Sequence, residues 1–194
     1  RQYPQVHLDI VSDGRLGDIV SEGFDAGIRL TEAVPQDMVA IAVTAPMRFA
    51  AVASPAYLQA RGRPLRPLDL HQHDCIRFRF ESGAIYRWEF ERQGTTERVN
   101  VSGPITLTDQ PLMVDAAMEG IGIAFVPEHL AAQPLADGRL LRLLEDWCPE
   151  FPGLALYYPG HRYVPPGLKA LISLIRTEAA GAPFAGEAGA VRRC

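Results

Sequence analysis

The segment Thr108-Asp109-Gln110-Pro111 reads as a strand end, a helix N-cap and the start of a short helix. Pro111 has no N–H to lose and a φ already set for a first helical turn, so a helix starts here. A helix N-terminus opening on a groove presents unpaired N–H groups and a partial positive charge, which suits a small anion. Arg29 stands near the end of a short apolar segment and has two readings. It forms a surface salt bridge with Glu32 or Asp25, or its guanidinium fork holds a carboxylate at a cleft rim. Arg77 and Arg79 alternate with Phe78 and Phe80, so one pair lines a groove and the other faces outward. A one-residue slip of register reverses which pair does so. Ser12-Asp13-Gly14 reads as a turn and cap, or as a groove lining, because ligands of parallel α/β sheets bind beyond the carboxyl ends of strands.

Other chemistries find less support. Asp69-Leu70-His71-Gln72-His73-Asp74 has metal-ligand residue types, but it follows a proline-rich connector and reads as a solvated loop. No metal is expected. Cys75, Cys148 and Cys194 are far apart and odd in number, which fits a reducing cytoplasm better than a disulfide framework. The chain has no Gly-x-Ser-x-Gly elbow, phosphate-binding Gly-rich loop or His-Glu-x-x-His. Neither catalysis nor a cofactor is expected, and the polar residues point to binding. A net charge of −4 disfavours direct contact of this chain with duplex DNA.

The elements that position these residues follow from periodicity and punctuation. A length of 194 residues allows one large domain or two small ones, and no apolar run is long enough to span a bilayer. Val6, Leu8 and Ile10 alternate with polar residues as a strand does, and Leu16, Ile19, Val20 and Phe24 follow at helical spacing up to Gly23. Asp25–Leu30 is a second strand, so the opening reads as strand, helix, strand with a parallel pair. Strands are expected over 38–43 and 48–53. Ser54 caps a helix that Pro55 begins and Gly62 closes. The connector Arg63–Leu70 is punctuated by prolines and reads as a border between lobes. A strand over 74–80 and a hairpin around Gln93-Gly94 with one wet face come next. After Pro111 the helix stops at Gly120, and Ile121–Val126 is a strand covered on both faces. A helix over 128–133, extended segments over 140–144 and 154–158, and a helix burying Leu168, Leu171, Ile172 and Ile175 complete the core. The Gly- and Ala-rich stretch 180–194 is expected to be disordered.

Several motifs run in order along this pattern. They are Gly23-Phe24-Asp25-Ala26-Gly27-Ile28-Arg29, Ala53-Ser54-Pro55-Ala56-Tyr57-Leu58, Pro67–Ile76, Gly120-Ile121-Gly122-Ile123-Ala124-Phe125-Val126-Pro127, and Leu156-Tyr157-Tyr158-Pro159 followed by Pro165-Pro166. Over residues 3–178 the series resembles the effector-binding domain of LysR-type transcriptional regulators. The resemblance implies an α/β, two-lobed fold like the type 2 periplasmic binding proteins, with two hinge strands near 49–53 and 154–158. The first lobe would comprise 1–49 plus 157–180, the second 50–156, with 181–194 as a tail. Family members open with a further strand and helix, so the first lobe is expected to be truncated at its N-terminus.

The resemblance also implies a small-molecule effector held between the lobes. Ser12 and Asp13 would form the first-lobe rim, and Arg29 to Thr31 the exit of its second strand. Phe78 and Arg79 would line the second lobe, and Thr108, Asp109 and Gln110 would meet the ligand. The effector would be anionic or aromatic. The partners implied are a homodimer or higher homo-oligomer, with DNA reached only through an N-terminal winged helix-turn-helix that this chain lacks. The expected setting is cytoplasmic, with no membrane partner. A solute-binding protein of a transport system is the alternative on the same fold.

Overall fold

The computed structural model describes residues 3–11, 19–161 and 163–181, with side chains described up to 177. In chain order the strands are β1 (Gly27–Leu30), β2 (Met38–Ala42), β3 (Phe49–Ala53), β4 (Cys75–Phe78), β5 (Trp88–Arg92), β6 (Thr95–Val99), β7 (Ile105–Leu107), β8 (Ile123–Pro127), β9 (Leu141–Leu143) and β10 (Leu154–Pro159). The α-helices are α1 (Pro55–Arg61), α2 (Gln110–Met118), α3 (Glu128–Ala136) and α4 (Pro166–Gly181). No helix of the described residues is long and apolar enough to cross a membrane. Two compact units result. Of the described residues, the first is built from those up to Pro46 and from Pro152 onward, and the second from Met47–Phe151.

In the first unit β1, β10 and β2 form an antiparallel sheet with β10 in the centre. Leu156 on β10 is buried with Leu168 and Ile172 of α4, and Leu171 and Ile175 pack against them, as the helical spacing predicts. The opening of the chain departs from expectation. Residues 6–10 are not a strand, and Leu8 and Ile10 are exposed. Alternation marks a strand only where a neighbour completes its hydrogen bonds. Val6 instead donates its N–H to the Tyr3 carbonyl in a turn. The anticipated parallel pair is therefore corrected: the ladder of β1 runs antiparallel to β10. Much of the helix expected over 16–24 lies outside the described residues. The described part, residues 19–23, is turn: Phe24 N–H bonds Ile19 C=O, Gly23 N–H bonds Val20 C=O, and Gly23 has φ +81°, the pattern in which a chain reverses through a left-handed glycine. The tail beyond 181 lies outside the described residues.

The second unit is a five-stranded sheet in the order β7-β4-β8-β3-β9. β4 runs parallel to β7 and β8, whereas β3 is antiparallel to β8 and β9. Both faces are covered, which is why β3 and β8 read as nearly unbroken apolar runs. Ala50, Val52, Ile76 and Val126 face Met113 and Ala117 of α2. Ala51, Ala53, Cys75 and Phe125 face Trp88 and Phe90 of the β5–β6 hairpin. The hairpin turns on Gln93 and Gly94, both at positive φ, a mirror-image turn that matches strand twist. Helix α1 starts where Ser54 Oγ accepts the Tyr57 N–H at 3.3 Å. The proline connector is not a border between units. It lies inside the second unit as a 3-10 turn over Pro67–Gln72, tied by Asp69 Oδ2, which accepts the Leu65 and Arg66 N–H groups.

The start of β4 is confined from two sides. A Cβ on Gly122 would lie 2.3 Å from the Asp74 carbonyl oxygen, and one on Gly103 2.0 Å from that of Cys75. Tyr57 straps the same point. Its hydroxyl accepts the Asp74 N–H at 2.9 Å and lies 3.3 Å from both the Asp74 carbonyl and His73 Nδ1. Gly122→Ala should cost about 1–3 kcal/mol through backbone overlap. Gly138→Ala, at φ +71° with open space around it, should cost about 1 kcal/mol. Urea unfolding of both variants checks this order, and equal midpoints would sink it.

Burial lowers the pKa of His73 from its ordinary value, with Asp69 and Asp74 opposing the shift and Arg61 adding to it. The unfolded chain then binds the proton more readily, so stability falls as pH drops through the unfolded pKa of about 6.5. His73→Gln should flatten the urea midpoint between neutral pH and pH 5.5. Parallel profiles for parent and variant would assign the acid loss to other groups.

Candidate ligand site

The parallel strands β4 and β7 bring five of the nine candidate residues to one end of the second sheet. Phe78 pairs with Leu107, and Arg79 N–H bonds the Leu107 carbonyl at 2.8 Å. Thr108, Asp109 and Gln110 follow β7 directly into α2. Phe78, Arg79, Thr108, Asp109 and Gln110 therefore stand beyond adjacent carboxyl strand ends, the usual ligand position in parallel α/β sheets. Thr108, Asp109 and Arg79 are exposed, while Gln110 and Phe78 are half-buried.

The alternation of arginine and phenylalanine resolves as follows. Phe78 packs with the α2-side core and meets Phe80 edge-on at 5.3 Å between ring centroids. Phe80 in turn meets Tyr86 edge-on at 5.8 Å and remains 38% exposed, an aromatic rim at the strand end. Arg79 Nη1 donates to the Gly83 carbonyl at 3.0 Å and pins the following turn. Arg77 is half-buried, with its Nε enclosed and without an acceptor. Tyr86 was not legible as part of this rim, because only the turn over 80–85 folds it back beside Phe80. Burial pushes the Tyr86 phenol up to about 12.

The helix start differs from a bare anion site. Asp109 Oδ1 accepts the Leu112 N–H at 2.8 Å. Of the first three helical positions, Pro111 has no N–H and that of Leu112 is taken. A carboxylate cap also offsets the positive end of the dipole. The expectation of several unpaired donors is corrected accordingly.

The first unit carries Arg29 and Thr31. The Arg29 guanidinium lies 5.0 Å over the Tyr157 ring, a cation–π contact. Gly27 makes room for that ring, since a Cβ there would come within 2.6 Å of it. A glycine inside a strand signals such an approach. The Thr31 hydroxyl donates to the Gly153 carbonyl at 3.0 Å, so it serves the backbone. Ser12 and Asp13 lie outside the described residues.

The remaining reactive residues have structural settings. His71 is exposed and His73 buried, so they do not share a face. Among the described residues no three His, Cys, Asp or Glu side chains converge on a point that could hold a metal ion. Burial raises the Cys75 thiol to about 12 and Cys148 to about 11, which leaves little thiolate at neutral pH.

Asp109→Ala should cost about 1 kcal/mol through loss of the cap. Asp109→Asn, which keeps an acceptor, should cost a few tenths. Chemical denaturation measures both, and an equal loss in the two variants would remove the capping role.

With this geometry in view, comparison with known proteins is informative. The family model described as LysR substrate binding domain matches residues 1–180. A putative transcriptional regulator of Pseudomonas aeruginosa is 41% identical over 176 residues, covering 90% of this chain and 58% of its own length. The uncharacterized HTH-type transcriptional regulator YcaN of Escherichia coli is 36% identical over 177 residues, covering 91% of this chain and 58% of its own. The chain thus spans less than two thirds of these curated relatives. Among solved structures, the regulatory domain of AphB from Vibrio vulnificus has a TM-score of 0.74 at 23% identity, covering 91% of this chain and 86% of that one. Full-length AphB of Vibrio cholerae has a TM-score of 0.74 at 22% identity, covering 91% and 59%. Those likenesses show the fold, the two-lobed α/β fold of LysR-type regulatory domains that resembles periplasmic binding proteins. By its family match and its relatives, this chain belongs to the LysR substrate-binding domain family.

Proposed function

We propose that this chain is the ligand-sensing part of a cytoplasmic transcriptional regulator and performs no catalysis. The observation that carries the reading is the grouping of Phe78, Arg79, Thr108, Asp109 and Gln110 at neighbouring parallel strand ends. Arg29, Ser12 and Asp13 are assigned by the same reading to the set that engages a small anionic or aromatic metabolite. The aromatic rim and guanidinium groups support that ligand class, rather than the capped helix start. Curated relatives with the names of transcriptional regulators support the regulatory role and do not favour the transport alternative.

The mechanism is a population shift. A ligand with different affinity for two arrangements of the lobes favours one of them, by no more than that difference in affinity. In a homodimer or higher oligomer, the change reaches DNA-binding segments of the longer protein. The family match and the HTH-type naming of a relative support this division of labour.

Thermal-shift screening of the full-length regulator with small aromatic and aliphatic carboxylates, followed by calorimetry, tests the reading. Arg29→Gln combined with Arg79→Gln should weaken a hit at least tenfold, about 1.4 kcal/mol. A hit that binds this double variant as tightly as the parent overturns the assignment.

A further inference from the structure

The first unit has an open surface groove of about 680 Å³ along α4 that the sensing role above does not use. Its apolar side comes from Tyr158, Val164 and Ile172, and its polar side from Lys169, Ser173, Arg176 and Thr177. Lys169, Ile172, Ser173 and Arg176 are spaced i, i+3, i+4 and i+7, so they share one face of the helix. That face lies beside the stripe that docks α4, with Ile172 common to both. Lys169, Ser173 and Arg176 lie off the apolar stripe that docks the helix. Only the fold shows the apolar wall opposite them.

We propose that this groove is a second ligand site, taking an amphipathic organic anion: a carboxylate with a hydrocarbon body. Three observations point to that occupant. Among the described residues the lining contains two cations and no carboxylate, in a chain whose net charge is −4. The cations sit about 10 Å apart along the helix axis, flanking an apolar floor where a hydrocarbon body would lie. The volume falls within the range of about 300–1,000 Å³ usual for small-molecule sites. The polar groups have distinct roles. Lys169 Nζ lies 5.0 Å over the Tyr163 ring, which sets the ammonium at the groove edge. The Thr177 hydroxyl donates to the Ser173 carbonyl at 2.9 Å, so it closes the helix side. The Ser173 hydroxyl lies between the two cations in sequence and on the same face, where it offers a donor to a carboxylate.

The groove is built from residues of the first unit alone and the strand-end cluster from residues of the second, so its test does not depend on the sensing proposal. The probe is octanoate, with octylamine and octanol as controls for charge, titrated into the isotope-labelled 194-residue chain and followed by amide chemical shifts. Octanoate should give saturable shifts centred on Lys169–Thr177, octylamine none, and octanol weaker ones. Lys169→Gln combined with Arg176→Gln should weaken octanoate at least tenfold. Both positions are exposed, so this variant should fold. Ser173→Trp should fill the groove and abolish the shifts. Arg79→Gln, in the second unit, should leave them unchanged.

The proposal is overturned by a lack of saturation up to about 10 mM. It is equally overturned if octylamine binds as well as octanoate, if the double variant behaves as the parent, or if Arg79→Gln removes the response. The same titration of a full-length regulator guards against a covered face. Binding there supports the site, whereas binding confined to the shorter chain overturns it, because the protein's own chain then fills the groove.

Discussion

The close passage of β4 between two glycines governs the geometry of the second unit. Asp74 and Cys75 lie within reach of any Cβ on Gly122 or Gly103, so the backbone enters the sheet with no lateral freedom. Hydrogen bonds complete the constraint. Cys75 N–H donates to the Ser102 carbonyl, and the Asp74 carbonyl accepts the Ile123 N–H, both at 2.9 Å. Tyr57, held on α1, fixes the same residue from the outside. Once the start of β4 is set, its register against β7 is set, and Phe78 and Arg79 must emerge beside Thr108. A displacement of one residue would exchange the two faces of the strand and bury Arg77 or Arg79 against α2.

Much of this architecture is legible in the sequence because local chemistry and tertiary structure agree. Ser54, Pro55 and Gly62 delimit α1, Asp109 and Gly120 bracket α2, and the hairpin turns at Gln93-Gly94. These signals act within a few residues and need no partner. The failures share the opposite property. The alternation of Val6, Leu8 and Ile10 specifies a face but cannot supply the neighbouring strand. The proline connector looked like a boundary because prolines break regular structure wherever they fall. Here they shape a compact turn whose Leu70 is fully buried in the core of one unit.

The site was less legible than the fold. The grouping of Phe78, Arg79, Thr108, Asp109 and Gln110 was expected from the family resemblance, whereas the use of each polar atom could not be read. Thr31, Arg79 and Asp109 each spend a polar group on the protein's own backbone. The groove on α4 was invisible for a different reason. Helical spacing identifies which residues share a face but not whether a wall stands opposite, and Tyr158 and Val164 reach that position only through the fold.

At the carboxyl end of the second sheet, the proposed ligand would be read by side chains rather than by helix dipoles. Two helices begin at that end, α2 after β7 and α3 after β8. The first is capped by Asp109. At the second, Glu128 occupies the first helical turn, accepts from Arg48 Nη2 at 3.0 Å and pairs with Arg142 at 2.9 Å. That bonding with Glu128 raises the Arg48 pKa despite partial burial. Both helix starts thus already hold a carboxylate of the protein: Asp109 offsets the first, and Glu128, itself neutralised by Arg48 and Arg142, occupies the second. Arg48 and Arg142 are committed to Glu128, so they are poor candidates for ligand recognition. What remains at this end is the aromatic rim of Phe78, Phe80 and Tyr86, the unused donors of Arg79 and the polar groups of Thr108 and Gln110. Such a set favours a ligand with a flat apolar body and a single acceptor group over a highly charged one, because only one guanidinium stands ready to offset its desolvation.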